Sequence, residues 1–393
     1  MTVTELYFMA LAVIFFLPWF AWRMLKLDSW APLAIVQIVS GVLLGPGLLG
    51  AAFPDIYQFV FTAPVVNSLN AVAWWAVSLF VFTAGIELNL RSAWQDRRSA
   101  GIVAGMALTV PLLAGVVLAS VLHLWPGWQG NKAEDWQFML GIGMAMAVTA
   151  LPILMVLLEK LGILRTELGQ RVLRCASLDD ILIWAVLALI LMDWDRILHQ
   201  GIFLAGYIMA AVAMRTYMPR LSHQDRWSIS VIWLIVCALL ADWAGLHYMV
   251  GAFLAGVIID SEWFDQSQLD TFRHTVLLVL MPVFFLITGL RTSWELGGSA
   301  VIAVAVILFI VQFISKQLGV RLAGVKLGWS VDETKIIGYL LQTKALIEII
   351  FASILLDKGI ITSAMFTALL LMAILSTVVT TPLVKPLLEK TKY

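Results

Sequence analysis

Thirteen apolar stretches, joined by short polar segments, take up almost the whole chain: 5–24, 31–50, 68–88, 100–124, 136–158, 172–192, 200–216, 227–244, 247–262, 274–290, 298–321, 334–356 and 363–388. A helix of about 20 apolar residues crosses the hydrocarbon core of a bilayer. Inside lipid every backbone N–H and C=O must find a partner within the protein, and segments of this length satisfy that rule as helices. The expected fold is therefore an all-α polytopic membrane protein with 13 transmembrane helices. Composition points the same way. Hydrophobic residues make up 62% and charged residues 13%, against about 45–50% and about 25% in soluble domains, too few polar groups to cover a water-facing surface. The first stretch has no basic lead-in and no small-residue cleavage site, so it reads as a span rather than a removable leader.

Several function classes drop out early. The formal net charge is 0, which gives no electrostatic footprint for nucleic acid. Cys175 and Cys237 lie in different apolar stretches without metal-binding spacing, so neither a disulfide framework nor a zinc site is expected. No nucleophile–base pair, nucleotide loop or metal-hydrolase motif is present, so the chain does not read as an enzyme. No cofactor is expected beyond a transported ion.

An odd number of crossings puts the termini on opposite sides. Arg23 and Lys26, Arg91, Arg97 and Arg98, Lys160, Arg165 and Arg171, Arg215, Arg220 and Arg226, Arg273, Arg321, Lys326 and Lys335, and Lys385, Lys390 and Lys392 give 18 basic residues on one side. Lys132, Arg196, Arg291 and Lys358 give 4 on the other. The positive-inside rule makes the richer side cytoplasmic, with the N-terminus outside. Three basic residues remain, Arg174, Lys316 and Lys344, and all fall within apolar stretches, as do Asp179, Asp180 and Glu348; Asp242 lies near the end of one. Charges in a bilayer cost several kcal/mol unless they pair or face water. Their near balance points to one paired polar site. Arg174 lies near the cytoplasmic end of its stretch and is left outside that site.

Two patterns recur in order. Ser40-Gly41-Val42-Leu43-Leu44 in the second stretch is matched by Ala255-Gly256-Val257-Ile258-Ile259 in the ninth, and Thr83-Ala84-Gly85-Ile86 in the third by Ile287-Thr288-Gly289-Leu290 in the tenth. The topology gives the paired stretches opposite directions, which makes the halves an inverted-topology repeat. Ion sites in such folds lie near the midplane, at broken helices. Pro152 interrupts the fifth stretch and frees a carbonyl; Gln342-Thr343-Lys344 interrupts the twelfth. These are the expected crossed discontinuous helices.

Asp179 and Asp180 are neighbours, so on a helix their carboxylates point about 100° apart. One can stay ionised against a buried lysine while the other exchanges a proton for a cation. Oxygen donors suit hard cations, and Thr149, Ser177 and the carbonyls around Pro152 are further candidate ligands. Lys316 is the candidate partner, with snorkelling to the cytoplasmic face as the alternative. Lys344 and Glu348 are candidate charge-compensating groups. Glu87 and Arg291 are candidate helix caps, and His247 is placed at the outer interface.

At these residues the chain resembles a known family. Thr149-Ala150-Leu151-Pro152, Glu159-Lys160-Leu161-Gly162, Gly169 and Asp179-Asp180-Ile181 look like the central stretch of the monovalent cation:proton antiporters, in the branch of Kef-type and plant cation/H⁺ exchangers. Gly41 to Pro46, Gly251 to Gly256, Pro282 to Phe285 with Gly289, and Thr343-Lys344 with Glu348 are similar to that branch too. The resemblance implies the sodium–proton antiporter fold and a single transmembrane antiporter domain over residues 1–393. It also implies core and dimerisation parts interleaved in sequence, a homodimer, an elevator-like movement and a bacterial inner membrane. It makes Asp180 the ion-binding aspartate and Lys316 the lysine that pairs with the acid before it. Asp179 stands where much of the family has Gln or Asn, as in members resembling electrogenic sodium–proton antiporters; Ala345 stands where the family has glycine. Kef-type proteins continue into a soluble nucleotide-binding domain. This chain stops at Tyr393, so no soluble C-terminal regulatory domain is expected. The implied activity is secondary antiport of Na⁺ or K⁺ against H⁺, with monovalent cations, protons and membrane lipid as partners. A channel-like cation efflux pathway and a non-transporting membrane sensor are the alternatives.

Overall fold

The computed structural model describes residues 1–27, 32–87, 97–193, 196–344 and 346–391. Arg91, Ala345 and Lys392, and the side chains of Arg97 and Arg98, lie outside the described residues. Those described form helices with no β-strand among them beyond a single antiparallel bridge, Gln129 to Ile361. In chain order the helices are α1 (Val3–Met24), α2 (Leu33–Leu44), α3 (Ala63–Glu87), α4 (Arg97–Leu122), α5 (Asp135–Ala147), α6 (Leu151–Lys160), α7 (Glu167–Ile190), α8 (Ile197–Tyr217), α9 (His223–Trp243) and α10 (Tyr248–Ile258). They continue with α11 (Gln266–Thr275), α12 (Met281–Leu290), α13 (Gly298–Leu327), α14 (Val331–Leu340), α15 (Leu346–Asp357) and α16 (Ser363–Thr391). A π-helical turn, Val276–Leu280, joins α11 to α12.

Among the described residues, 10 helical segments are long and apolar enough to cross a membrane. Three expected crossings take other forms, each for a physical reason. The stretch at 172–192 lies in α7, which is 24 residues long but carries Arg171, Arg174, Asp179 and Asp180. The stretch at 247–262 lies in α10, whose helix is only 11 residues. The stretch at 334–356 is divided into α14 and α15, of 10 and 12 residues.

The chain forms two compact units, each assembled from separate pieces of sequence. One comprises Met1–Leu11, Val60–Asn89 and Ala188–Ile287; the other Ala12–Phe59, Leu90–Leu187 and Thr288–Tyr393. The repeat seen in the sequence reappears as two close helix contacts, one in each unit. In the second unit a Cβ on Gly289 would overlap the backbone of Gly41. In the first, a Cβ on Gly256 would overlap the Phe82 carbonyl, and one on Gly85 would crowd Phe253 and Gly256. The second stretch thus meets the tenth, and the third meets the ninth. Exchanging the halves maps one contact onto the other. Only glycine allows backbones this close.

The second unit holds both interrupted helices. An apolar cluster that includes Leu154, Leu158, Val172, Cys175, Val320, Ile336, Ile337 and Leu340 packs α6, α7, α13 and α14 together. At its edge Arg171 of α7 pairs with Glu333 of α14, and its guanidinium lies 4.8 Å over the Trp329 ring. That pairing fixes the helix bearing the two aspartates against the helix leading into the second break.

Candidate functional site

The first break lies between α5 and α6. Val148 and Ala150 are extended, with ψ of 150° and 100°. Pro152 does not kink a helix interior, as the sequence suggested; it is the second residue of α6. There its missing N–H costs no intrahelical bond. The Val148 carbonyl, left free by the extended backbone, accepts from Lys344 Nζ at 3.0 Å. Lys344 Nζ also donates to Ala145 O at 2.7 Å, and Lys316 Nζ to Ala147 O at 2.6 Å. Two ammonium groups therefore sit on the C-terminal end of α5, where unpaired carbonyls and the helix dipole favour positive charge.

The second break lies between α14 and α15. Its backbone meets the first break directly. Ala150 N donates to Thr343 O at 2.9 Å, and the Thr149 hydroxyl donates to Leu341 O at 2.9 Å. The two interrupted helices cross at these bonds.

The acidic residues converge here. Asp179 is 1% exposed and places Oδ2 3.3 Å from Lys316 Nζ. Lys316 is fully buried, so it does not snorkel. The Thr149 hydroxyl lies beside Asp179. Asp179 Oδ1 is buried and accepts no hydrogen bond among the described residues. An acceptor left this way in a closed interior is costly, and a cation would satisfy it. Asp180, the next residue on α7, is also buried. Glu348, in the first turn of α15, lies 3.4 Å from Lys344 Nζ. A carboxylate there is favoured by the helix N-terminus. Ser177 is partly buried, and its hydroxyl donates to Leu173 O at 3.0 Å within its own helix.

The structure thus joins Thr149, Asp179, Lys316, Lys344 and Glu348 through direct contacts across the two breaks. Three other residues singled out in the sequence have defined contacts. His247 is buried and caps α10, accepting from Met249 N at 3.3 Å. Glu87, at the end of α3, pairs with Arg273 of α11 at 2.6 Å, and Arg291, just past α12, pairs with Asp357 of α15. Sequence reading missed Gln312, Ser376 and Thr377. All three are buried and hold the second break. The available signals were the spacing of Gln312, one turn before Lys316 on α13, and a Ser-Thr pair in a stretch that also carries Thr367, Thr380 and Thr381.

The family model described as "Sodium/hydrogen exchanger, transmembrane" matches residues 11–390. The chain is 31% identical over 370 residues to the Na⁺/H⁺ antiporter NhaS4 of Synechocystis, covering 90% of each. It is 28% identical over 386 residues to the K⁺/H⁺ antiporter 1 of Saccharomyces cerevisiae, covering 90% of this chain and 43% of that one; it spans less than half of the yeast relative. Among solved structures, the sodium proton antiporter MjNhaP1 of Methanocaldococcus jannaschii superposes over 99% of both chains with a TM-score of 0.62 and 14% identity. That likeness gives the fold: the sodium–proton antiporter fold.

Proposed function

The chain belongs to the transmembrane sodium/hydrogen exchanger family, a family of membrane transporters rather than enzymes, and from that premise we propose that it is a secondary antiporter exchanging Na⁺ or K⁺ for H⁺ by alternating access. The observation that carries this reading is the buried Asp179–Lys316 pair at the crossing of two broken helices, with Asp180 beside it on α7. Asp180 is the group that holds either a proton or the cation. Asp179 Oδ1, the Thr149 oxygen and, after rotation off Leu173 O, the Ser177 oxygen supply further hard donors. The names of the relatives, one a Na⁺/H⁺ and one a K⁺/H⁺ antiporter, support a monovalent cation of either kind.

The cycle follows from competition. A proton on Asp180 removes the charge that holds the cation, and a bound cation excludes the proton. Cation entry beside Asp179 weakens its pair with Lys316, which can then release a proton. More protons than cations then move per turn, so the exchange is electrogenic. Net charge movement couples to the membrane potential at about 2.3 kcal/mol per charge per 100 mV. Lys344 and Glu348 compensate charge on the far side of the crossing. The remaining parts of the reading are thirteen crossings with the N-terminus outside and the C-terminus cytoplasmic, a homodimer, and the bacterial inner membrane. The odd number of apolar stretches, the distribution of Lys and Arg and the family resemblance support them.

The test is reconstitution in sealed vesicles. Imposed Na⁺ or K⁺ gradients are expected to drive proton movement, with a current that follows the imposed potential. Cation flux that consumes no proton gradient would indicate a channel. Absence of any flux, with intact cation binding, would indicate a sensor.

A further inference from the structure

Apart from the neutral Ala150 N–Thr343 O and Thr149–Leu341 O bonds that join them, the two breaks are held by different chemistry. Ammonium groups hold the first, through Ala145 O, Ala147 O and Val148 O. Neutral groups hold the second. Gln342 O accepts from the Ser376 hydroxyl at 2.7 Å, and Lys344 N donates to Thr377 Oγ1 at 3.2 Å. The Thr377 proton goes to Ala373 O at 2.9 Å, which leaves its lone pairs for Lys344 N–H. The Gln342 side chain accepts from Gln312 Nε2 and donates to Phe313 O at 3.0 Å. Gln312 is one helical turn before Lys316 on α13. A single face of α13 therefore grips both breaks, one through an amide and one through an ammonium.

From this asymmetry, and resting on the antiport reading above, we propose that Thr377, Ser376 and Gln312 are positioning residues for the exchange. They form an uncharged clamp that fixes the peptide from Gln342 to Lys344. That peptide presents Thr343 O to Ala150 N and aims Lys344 at Val148 O, next to Thr149. Bonds made by neutral hydroxyls and amides do not change when a proton or a cation arrives. The second break is then the fixed half of the site, and the lysine-held first break is the half that responds. Without the Thr377 oxygen, Lys344 N–H is buried with no acceptor. Its peptide must turn to find one, which pulls Thr343 O and the Lys344 ammonium off the first break.

The experiment uses the purified full chain and two separate readouts: cation affinity by calorimetric titration with NaCl or KCl, and cation-driven proton movement in vesicles. Thr377→Val keeps the shape and loses the oxygen; Thr377→Ser keeps the oxygen. A buried donor left unpaired corresponds to roughly a five- to hundredfold change in an equilibrium. We expect Thr377→Val to weaken cation affinity and raise the apparent KM by about tenfold, with the maximum rate within about twofold of wild type, and Thr377→Ser to restore both. Gln312→Met, which leaves the Gln342 oxygen without its donor, is expected to shift affinity in the same direction, and it decides the matter if Thr377→Val does not fold. Unchanged affinity in Thr377→Val, or in Gln312→Met where that variant decides, overturns the proposal. So does an equal loss in Thr377→Ser, which would mark a packing effect, or a lower maximum rate at unchanged affinity. Failure of the antiport reading looks different: the wild type itself would bind cation without moving protons.

Discussion

Removing the Lys316 ammonium should be far more damaging alone than together with its partner. We predict this from the geometry of the pair. Lys316 and Asp179 are 0% and 1% exposed, with Nζ 3.3 Å from Oδ2. At an effective dielectric of about 20, unit charges at that separation attract by about 5 kcal/mol. Most of this offsets the desolvation of the two ions, so the intact pair contributes little net stability. Lys316→Met strands a buried carboxylate and takes the ammonium from Ala147 O; the expected loss is about 3–5 kcal/mol. Asp179→Asn is milder, because Lys316 keeps its 2.6 Å bond to Ala147 O. In the double variant Asp179→Asn/Lys316→Met no charge is stranded, and a coupling of up to about 3 kcal/mol should be recovered. The assay is the thermal unfolding midpoint of the four proteins in one mild detergent. The double variant should unfold at a higher temperature than Lys316→Met. A double-variant midpoint lowered by the sum of the two single shifts would refute the reasoning, because it would mean the groups do not share a buried pair.

Three further outcomes are expected. Asp180→Asn should abolish cation-driven proton movement in vesicles while keeping the wild-type unfolding midpoint, since an amide neither releases a proton nor supplies the charge that holds the cation; exchange at the wild-type rate would remove Asp180 from its role. Competition at one site fixes the sign of the pH effect: apparent cation affinity should weaken as pH falls, because protons take a growing share of the site, and a flat profile across the neutral range would contradict shared occupancy. Gly289→Ala and Gly256→Ala should each lower the unfolding midpoint strongly, since their Cβ atoms meet backbone, whereas Gly206→Ala, with open space around it, should be neutral or stabilising by up to about 1 kcal/mol; equal effects at all three would deny the paired contacts.

The parts of the site that sequence reveals are those whose chemistry is expensive in lipid. Asp179, Asp180, Lys316, Lys344 and Glu348 stand out because an apolar stretch rarely carries a charge. Lys344 and Glu348 even have the four-residue spacing of a helical ion pair, though the helix between them begins only at Leu346. On residue grounds Lys316 is open to snorkelling, because Asp179 is 137 positions away in the chain; the family resemblance implies the pairing, and the 3.3 Å contact shows it. The break itself was displaced in the reading. Proline is visible, but it sits in the first turn of the next helix, where its missing N–H costs no bond, and the extended segment is Val148 to Ala150. Thr149 was legible as a hydroxyl beside the break, and its acceptor, Leu341 O, lies 192 positions on. Gln312, Ser376 and Thr377 left almost no trace. Neutral polar residues are common between membrane helices and usually mean packing, so only their convergence on one peptide distinguishes them. The repeat was legible because close backbone contact restricts both partners to glycine, and that restriction survives in the order of the stretches.

Charge arithmetic at the crossing links the geometry to the electrical character of the cycle. With Asp179, Asp180 and Glu348 ionised against Lys316 and Lys344, the five groups carry one net negative charge. One monovalent cation brings the set to neutrality, and so does one proton on Asp180. A cycle in which the two lysines never change would shuttle between these neutral states and move no net charge. Electrogenic exchange therefore requires a second titrating group, and the contacts distinguish the two lysines. Lys344 has two backbone carbonyls and Glu348 to hold its charge, none of them among the donors proposed above for the cation. Lys316 has one carbonyl and Asp179, and in the proposed cycle Asp179 is the group that an incoming cation recruits. On that proposal the lysine whose counter-ion is also a cation donor is the one that loses its partner when the site fills. Current and proton coupling should therefore follow Lys316, while Lys344 keeps its charge through the cycle.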